Sequence, residues 1–312
     1  MSSVVGKMKT DPLFHPGWIA FNEEQWNLKA HPILLGPEKG TAWELSTILY
    51  TKENGQVVMP PRNPHLPVHF ECSSAKPGSR NRRMRIALTE LASLYARRGL
   101  RSSVTLSPVV RDVRPFIWKG MGVEPRYTYY IDLIGYPEGI DSSVIKKARK
   151  SRNLHYFCEV TDDLDAAHSC LNGPELRKGF DHKVEKEGLK KLLDYMGNDS
   201  FAVFICRDKE HNPVGSRVTL FQPGGMALAW SAGVKTEALK DGVNNLLGEF
   251  ALQYFQNRGC TVFDFVGANI PPVAEMKEAW GGELVCYYTI RQRNFRSMAR
   301  EVYSTMRQYL KR

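Results

Sequence analysis

A predicted helix near residue 242 carries residue types that could bind an anion. The sequence favours a helix over 242–256, and the free backbone N–H groups and dipole of its first turn attract a phosphate. Lys240 precedes this helix, and Gly242 and Asn244 lie at its start. These three residues are therefore candidate phosphate-binding residues. The alternative is that Asp241 simply caps the helix.

A second candidate for chemistry is the carboxylate of Asp264, which ends a predicted strand. A carboxylate there could accept the proton of an amine nucleophile, directly or through water. The alternative is that it hydrogen-bonds the backbone amides that follow the strand.

The cysteines and histidines predict neither a metal site nor disulfides. The six cysteines form no CxxC pair, and the eight histidines form no spaced cluster. The sequence also lacks GxGxxG, P-loop, HExxH and GxSxG motifs. We therefore expect reduced cysteines, no metal and no bound cofactor.

Positive charge is concentrated in three segments. The 43 lysines and arginines exceed the 33 acidic residues, for a net charge of +10, and the excess lies in 79–101, 145–154 and 291–312. Such clusters suit a polyanionic partner such as RNA, a nucleotide or anionic lipid, although each could also be a solvated helix face. Arg149 and Arg152 are the candidates from the second segment.

The last segment has the pattern of an amphipathic helix. Apolar residues and arginines both recur every three or four positions, and at 100° per residue they fall on opposite faces. The basic stripe could contact a phosphate backbone, or the helix could lie on a membrane surface. The candidate phosphate contacts are Arg296, Arg300 and Arg307.

The length of 312 residues favours two domains. No apolar run is long enough to span a membrane, and the N-terminus lacks the apolar core of a signal peptide. We therefore expect a cytoplasmic protein without stable membrane insertion. The sequence gives no indication of the oligomeric state.

The predicted elements indicate an α/β fold with a mixed sheet. In the first half we expect a hairpin around the turn Asn54-Gly55 and helices over 82–98 and 142–152. Residues 1–40 are predicted as loop with short elements, and residues 60–78 as loop. From residue 154 onward the predicted order is β-α-α-β-β-β-α-β-α-β. A doubly wound nucleotide-binding fold would alternate strictly, so this order argues against one.

This element order is similar to the GNAT (N-acyltransferase) superfamily, and two stretches narrow the resemblance. Residues 114–133 resemble the join between the two GNAT-like halves of the Fem group, peptidoglycan interpeptide-bridge transferases and relatives that use aminoacyl-tRNA. Residues 263–284 resemble the Asp-Phe-x-Gly … Phe-Lys-x-x-Phe-Gly-Gly signature of that group, with Met276 and Trp280 in place of the two later Phe residues. The resemblance implies two GNAT-like domains, over 1–140 and 141–292, followed by the basic helix 293–312.

The resemblance also implies roles for three residues. Fem-type enzymes have a lysine at the position of Lys277 that contacts the charged end of the tRNA; the alternative is a helix-surface lysine. In the GNAT pattern the strand around Trp230 and Ser231 splays and exposes a backbone N–H to the acyl carbonyl. Trp230 could also stack on a terminal adenine, or be a core residue.

Further candidate substrate contacts lie near the join and in the last third of the chain. In the Fem group the acceptor lies in a channel between the domains, which makes Arg126 and Tyr129 candidates for its binding. Tyr288 and Asn269 complete the set of candidate substrate contacts. One of Tyr287 and Tyr288 must face inward by strand alternation.

The resemblance implies an aminoacyl-tRNA-dependent aminoacyltransferase that forms an amide on an amine acceptor. The acceptor would be a cell-wall precursor or a specialised small metabolite. One alternative is an N-acyltransferase that uses acyl-CoA or an acyl carrier protein, but the leading Arg or Gln and the last Gly of the R/Q-x-x-G-x-G/A phosphate loop are missing at 239–244. Another alternative is a non-catalytic RNA- or membrane-binding module.

Overall fold

The computed structural model describes residues 11–37, 42–178 and 184–293, with backbone alone for 173–178. Contacts divide the chain into two units. Within the described residues, the first unit comprises 11–28, 60–67 and 126–286, and the second comprises 29–59, 68–125 and 287–293. The predicted helix over 293–312 lies outside the described residues apart from its first position. Candidates Arg296, Arg300 and Arg307 lie outside them as well.

The described residues form a series of α-helices and β-strands. In chain order they are α1 (Pro16–Trp26), β1 (Lys29–Leu35), β2 (Trp43–Thr51), β3 (Val68–Cys72), α2 (Pro77–Arg98), β4 (Val104–Thr105), α3 (Arg114–Trp118), β5 (Met121–Asp132), α4 (Ser142–Asn153), β6 (Phe157–Val160), α5 (Leu164–Lys178), α6 (Lys186–Met196), β7 (Phe201–Arg207), β8 (Pro213–Phe221), β9 (Met226–Val234), α7 (Val243–Asn257), β10 (Val262–Asp264), α8 (Pro271–Glu278) and β11 (Glu283–Gln292). Short 3-10 turns cover Pro12–Phe14 and Thr236–Asp241.

The first unit is built on a mixed sheet. Its strands hydrogen-bond in the order β5, β10, β9, β8, β7, β6. Neighbours from β6 to β9 are antiparallel, β9 and β10 are parallel, and β10 and β5 are antiparallel. From β6 onward the element order matches the predicted β-α-α-β-β-β-α-β-α-β. The predicted fold class, an α/β protein with a mixed sheet, is confirmed.

Helices cover both faces of this sheet, so its central strands are buried on both sides. On β7, Phe204 belongs to a core with α7, whereas its neighbour Val203 belongs to a second core with α1 and α6. Successive side chains of a strand point to opposite faces, which explains the division. It also explains why β7 is an almost continuous apolar run rather than an alternating one.

The second unit contains a separate antiparallel sheet with the order β1, β2, β3. Its α2 contacts all three strands of this sheet and also α3, where Tyr95 and Phe116 lie with ring centroids 6.1 Å apart. In the same unit β4 pairs with the end of β11 through Thr105 and Thr289.

The units are not contiguous in sequence, which differs from the predicted boundary near residue 140. Residues 11–28 and 60–67 belong to the first unit, and the apolar side chains of 11–28 join its core. Leu13, Trp18 and Phe21 are almost fully buried against α6 and β8. Among the described residues, no helix is long and apolar enough to cross a membrane.

Candidate active site

The strands β9 and β10 of the first unit separate after a short parallel ladder. They share only three residue pairs, the last of which joins Leu228 to Asp264. Beyond this pair β10 ends, whereas β9 continues to Val234. One edge of β9 therefore leaves its neighbour and faces an opening between the two strands.

A β-bulge on the other side of β9 lies at the same level. Val218 of β8 pairs with Ser231 and Thr219 pairs with Ala229, so Trp230 is the extra residue between them. A bulge bends its strand and changes the direction of the neighbouring side chains. The opening is thus located at Trp230 and Ser231, the two residues for which the sequence predicts a splayed strand.

A cavity of about 280 Å³ lies in this opening. It is enclosed by β8 and β9, the loop after β10, the start of α7, the end of α8 and the segment 60–67. Four residues singled out from the sequence line it, namely Trp230, Ser231, Asn244 and Lys277. The remaining lining residues are Arg62, Leu171, Arg217, Ala229, Ala232, Phe265, Val266 and Met276.

Lys277 of α8 is buried, with 9% of its surface exposed, and holds the loop after β10. Its Nζ donates to the carbonyl oxygens of Phe265 at 2.7 Å, Val266 at 3.0 Å and Gly267. Val266 and Gly267 both have left-handed backbone, with φ of +51° and +79°. A β-branched residue rarely adopts this conformation, so the ammonium group holds a strained turn at the cavity wall.

The Lys277 ammonium is also less stable in the fold than in water. Burial lowers its pKa to about 8, Asp264 opposes this shift, and Arg217 adds to it. A helix-surface lysine, the alternative considered from the sequence, would be exposed. Lys277 therefore provides a positive charge beside the cavity whose protonation changes close to neutral pH.

Asp264 does not line the cavity. As in the alternative considered from the sequence, it hydrogen-bonds a backbone amide that follows its strand. Its Oδ1 accepts from the Thr128 hydroxyl at 2.6 Å and from the Val266 amide at 2.7 Å. Burial raises the pKa of this carboxyl, while these two hydrogen bonds lower it. Its observed position supports the strained turn rather than direct contact with an amine in the cavity.

The segment 60–67 brings a cation to the cavity that was not singled out from the sequence. Arg62 has a left-handed backbone, with φ of +64°, and its guanidinium donates to Ser231 Oγ at 3.3 Å. Trp230 Nε1 donates to the Arg62 carbonyl at 2.8 Å, and the guanidinium lies over the Trp230 ring. Asn63 fixes the segment by accepting from the Trp18 indole at 2.9 Å.

Trp230 therefore cannot serve as the open stacking platform that the sequence suggested. Its indole is 5% exposed, with Arg62 over the ring and Trp18 packed against it at a centroid distance of 5.8 Å. The ring supports Arg62 at the cavity instead of offering a free face to a base.

Arg217 is a second cation that sequence analysis missed. It lies in the middle of β8, and its side chain is 5% exposed. Its guanidinium carbon is 5.9 Å from the centroid of the Phe265 ring. Burial lowers its pKa to about 10. The signal was present in the sequence, because an arginine is rare in an otherwise buried strand.

The start of α7 is covered by α4, which argues against the predicted anion site there. Lys150 Nζ donates to the Lys240 carbonyl at 2.8 Å, and the Ser151 hydroxyl donates to the Asp241 carbonyl at 2.5 Å. Gly242 has φ of +83°, and a Cβ at this position would overlap the Lys147 carbonyl. The glycine is required for packing on α4 and not for the approach of a phosphate. Lys240 and Gly242 therefore do not form a cradle for pyrophosphate.

Asn244, the third member of that predicted set, does line the cavity. Its side-chain nitrogen lies 3.7 Å from the sulfur of Met276. The first turn of α7 therefore contributes one polar side chain to the opening between β9 and β10.

The two arginines predicted on α4 differ in their surroundings. Arg149 is exposed, whereas Arg152 forms an ion pair with Glu249 of α7. Lys150 likewise lies 3.4 Å from the Asp241 carboxylate. Part of the basic character of α4 thus serves to hold it on α7, and Arg149 remains at the surface.

The candidate acceptor contacts are not gathered around the cavity. Tyr129 is 6% exposed and belongs to the core on the α7 face, so it is a core residue. Asn269 is exposed, and its side chain pairs with the backbone of Tyr127, accepting from the amide at 2.9 Å. Arg126 is half-buried in β5 and lines no part of the cavity. Tyr288 belongs to the second unit, where its carbonyl accepts from the Leu106 amide.

Burial does not distinguish the two tyrosines of β11 as alternation predicted. Tyr287 and Tyr288 are both half-buried. The structure shows no disulfide among the six cysteines, all of which lie in the described residues. Among the residues that the structure describes, no three His, Cys, Asp or Glu side chains are grouped as a metal site.

The arrangement is suited to holding a carbonyl group and developing negative charge. The bulged strand β9 borders the cavity, and three cations, Arg62, Arg217 and Lys277, line it. Preorganised donors and charges in a buried site stabilise an oxyanion without reorganisation. No His, Cys, Asp or Glu side chain is among the lining residues.

Comparison with known proteins gives the same fold at low sequence identity. No family model matches the sequence, and no curated protein matches it. The structure of FemX is similar with a TM-score of 0.64 at 12% identity, covering 94% of this chain and 95% of that one. L-PGS from Bacillus licheniformis is similar with a TM-score of 0.55 at 12% identity, covering 100% of this chain and 96% of that one.

A third similar structure is the C-terminal domain (DUF2156) of a protein named as a lysylphosphatidylglycerol synthetase from Agrobacterium fabrum. It matches with a TM-score of 0.58 at 10% identity and covers 97% of this chain and 96% of that one. All three comparisons extend over nearly the whole chain. The resemblance to the Fem group is confirmed at the level of the fold, and the chain has the fold of FemX.

Proposed function

We propose that the first unit is an acyltransferase that moves an aminoacyl group from charged tRNA to an amine acceptor and forms an amide. One observation carries the proposal: the cavity lies where β9 leaves β10, and the buried Lys277 lies at its wall. The sequence resemblance to the Fem group and the fold of FemX support the same reaction class.

In the proposed reaction the acceptor amine attacks the ester carbonyl of the aminoacyl group. A carbon–nitrogen bond forms, the ester carbon–oxygen bond breaks, and the proton lost by the amine balances the proton gained by the departing hydroxyl of the tRNA. The ester is already activated, so positioning of the two substrates supplies much of the rate. The positive charge of Lys277 at the cavity wall stabilises the tetrahedral oxyanion.

Two observations favour a tRNA donor over acyl-CoA. First, α4 covers the start of α7, where an acyl-CoA enzyme of the GNAT type would need an open phosphate loop. Second, Lys146, Lys147 and Arg149 are exposed on α4, which provides a basic surface for a polyanion. The name of the Agrobacterium relative also describes an aminoacyl group joined to an acceptor.

A binding titration tests the donor. The purified chain is titrated with bulk aminoacyl-tRNA, uncharged tRNA and acetyl-CoA at two salt concentrations. We expect salt-sensitive binding that is tighter for charged than for uncharged tRNA, and no binding of acetyl-CoA. A matched variant, Arg149→Met, should weaken the binding of both tRNAs equally, because Arg149 is exposed on α4 and does not line the cavity.

Two other outcomes would replace the proposal. Acetyl-CoA binding without preference for charged tRNA would indicate an acyl-CoA enzyme. Equal binding of charged and uncharged tRNA, with no transfer, would indicate a non-catalytic RNA-binding module.

A further inference from the structure

Arg217 is a buried cation without a compensating partner among the described residues. Its Nε makes no hydrogen bond, and none of the described carboxylates forms an ion pair with it. Placing a charge in the interior without an opposite charge destabilises the fold. A buried positive charge that destabilises the fold in this way indicates a negatively charged partner from outside the chain.

The surroundings of Arg217 show where such a partner would bind. Arg217 lines the cavity together with Arg62 and Lys277, and no acidic residue is among the lining residues. Lys277 already donates to three carbonyl oxygens, and Arg62 donates to the Trp230 carbonyl and to Ser231 Oγ. Arg217 is therefore the cation of the three whose donors have no acceptor in the described structure.

Arg62 is held in position for the same task. Its left-handed backbone is fixed by the bond from Trp230 Nε1 to its carbonyl and by the neighbouring Asn63. Strained backbone that the surrounding structure over-determines is typical of ligand-binding sites. Two guanidinium groups, one from β8 and one from the segment 60–67, thus border one small cavity.

We propose that Arg217 and Arg62 form a subsite for an oxyanion group of a substrate, either a carboxylate or a phosphate. The planar fork of an arginine matches both groups with two parallel hydrogen bonds. The cavity of about 280 Å³ holds about nine groups of water size at ~30 Å³ each. This space suits the charged end of a substrate, such as an amino-acid carboxylate or a single phosphate.

The proposal adds a specificity determinant to the proposed transferase, and it can be tested without any transferase activity. Thermal unfolding of the full chain is measured in inorganic phosphate, in acetate and in chloride at equal ionic strength. We expect one or both oxyanions to raise the melting temperature above that in chloride. Phosphate alone identifies a phosphate group as the partner, and acetate alone identifies a carboxylate. A melting temperature that is the same in all three salts would overturn the proposal.

Variants assign the effect to Arg217. Arg217→Met removes an uncompensated charge, so we expect it to fold with a melting temperature at or above that of the wild type. Its apparent affinity for the oxyanion should fall by about tenfold or more, since charge-assisted hydrogen bonds are lost. Arg111→Met, which changes an exposed arginine of the second unit, should keep the full response. An unchanged response in Arg217→Met would contradict the proposal.

A second variant keeps the test valid if Arg217→Met does not fold. Arg217→Lys keeps the charge without the fork, and we expect it to fold and to bind the oxyanion more weakly. If both Met and Lys variants fail to fold, Arg217 is a structural residue and the subsite is wrong. If the subsite is confirmed but no aminoacyl transfer is found, the proposed function fails and the subsite stands.

Discussion

Replacement of Lys277 by methionine separates its structural role from its proposed catalytic role. The change removes three hydrogen bonds to the turn after β10, of which the bond to Phe265 O is buried and the other two are partly exposed. Leaving a buried carbonyl unsatisfied costs about 2 kcal/mol, and the two partly exposed carbonyls, which water can reach, cost about 1 kcal/mol each. The expected loss of stability from these three bonds is therefore about 4 kcal/mol.

The same change also removes a buried charge, which offsets most of this loss. The fall of the Lys277 pKa from 10.5 to about 8 corresponds to about 3.5 kcal/mol, at ~1.4 kcal/mol per pKa unit. The net destabilisation of Lys277→Met is then about 0.5 kcal/mol. The variant should fold at room temperature, and its effect on transfer can be interpreted as chemistry.

Urea unfolding at pH 7 measures the net change, and amide hydrogen exchange reports on the turn. We expect faster exchange at the Val266 amide, which donates to Asp264 Oδ1 in the turn that the Lys277 hydrogen bonds no longer hold. Lys240→Met is the matched control, since its exposed side chain lies outside the cavity, and it should change stability by less than about 0.5 kcal/mol. A loss above about 4 kcal/mol in Lys277→Met, or unchanged exchange at Val266, would refute this account of the lysine.

The remaining predictions concern stability. Gly242→Ala should cost about 2 kcal/mol more than Gly55→Ala in urea unfolding, because both have left-handed backbone but only Gly242 lies against a backbone carbonyl of α4; equal losses would contradict the packing of α4 on α7. Gly248→Ala should destabilise the fold, because its Cβ would lie 2.5 Å from the indole ring of Trp280. Gly78→Ala has open space around it and should stabilise the fold by about 0.5 kcal/mol. Thermal unfolding of the two variants measures both effects, and a stabilised Gly248→Ala would contradict the packing at Trp280. The Lys277 pKa is lower in the folded chain than in the unfolded one, so the unfolded chain binds more protons between pH 8 and pH 10.5. The free energy of unfolding of the wild type relative to that of Lys277→Met should therefore rise as the pH increases from 8 to 9.5. If this difference does not change with pH, the pKa of Lys277 is not lowered in the fold.

The periodicity of the sequence was enough to predict the second half of the chain, because its elements are long and strongly patterned. The strands from β7 to β9 and the helix α7 bury apolar residues in the predicted order. The same approach gave no bounds for α1 and β1, which fall in a stretch predicted as loop with short elements, and it missed β3, which falls in a stretch predicted as loop. The segment before β1 is rich in Pro, Gly and Trp, and α1 is apolar around much of its surface instead of along one stripe.

The predicted hairpin at residues 54–55 shows how tertiary contacts override a local signal. The turn is present, with Gly55 at φ of +78°. Its second arm, however, forms isolated bridges at Val57, one to Thr51 and a parallel one to Leu100. Turn chemistry predicted the turn correctly, but it could not predict that the returning segment pairs with a distant part of the chain.

The candidate site was predictable where a residue belongs to a stretch that resembles a known family. Lys277, Trp230 and Ser231 were named from such a resemblance, and the structure brings them to one cavity. Arg62 and Arg217 are remote from one another in sequence and belong to no motif, so only the fold shows that they meet. Tyr129 was named from its position near the join, which gives no information about burial.

Transfer itself is the most direct test of the central claim. Bulk tRNA charged with radiolabelled amino acids is incubated with the full chain and a panel of amine acceptors, and the formation of labelled amide is followed. The account predicts transfer by the wild type and by Lys240→Met, and a loss of at least about a hundredfold in Lys277→Met. Transfer from acetyl-CoA instead of charged tRNA, or equal transfer by wild type and Lys277→Met, would contradict it.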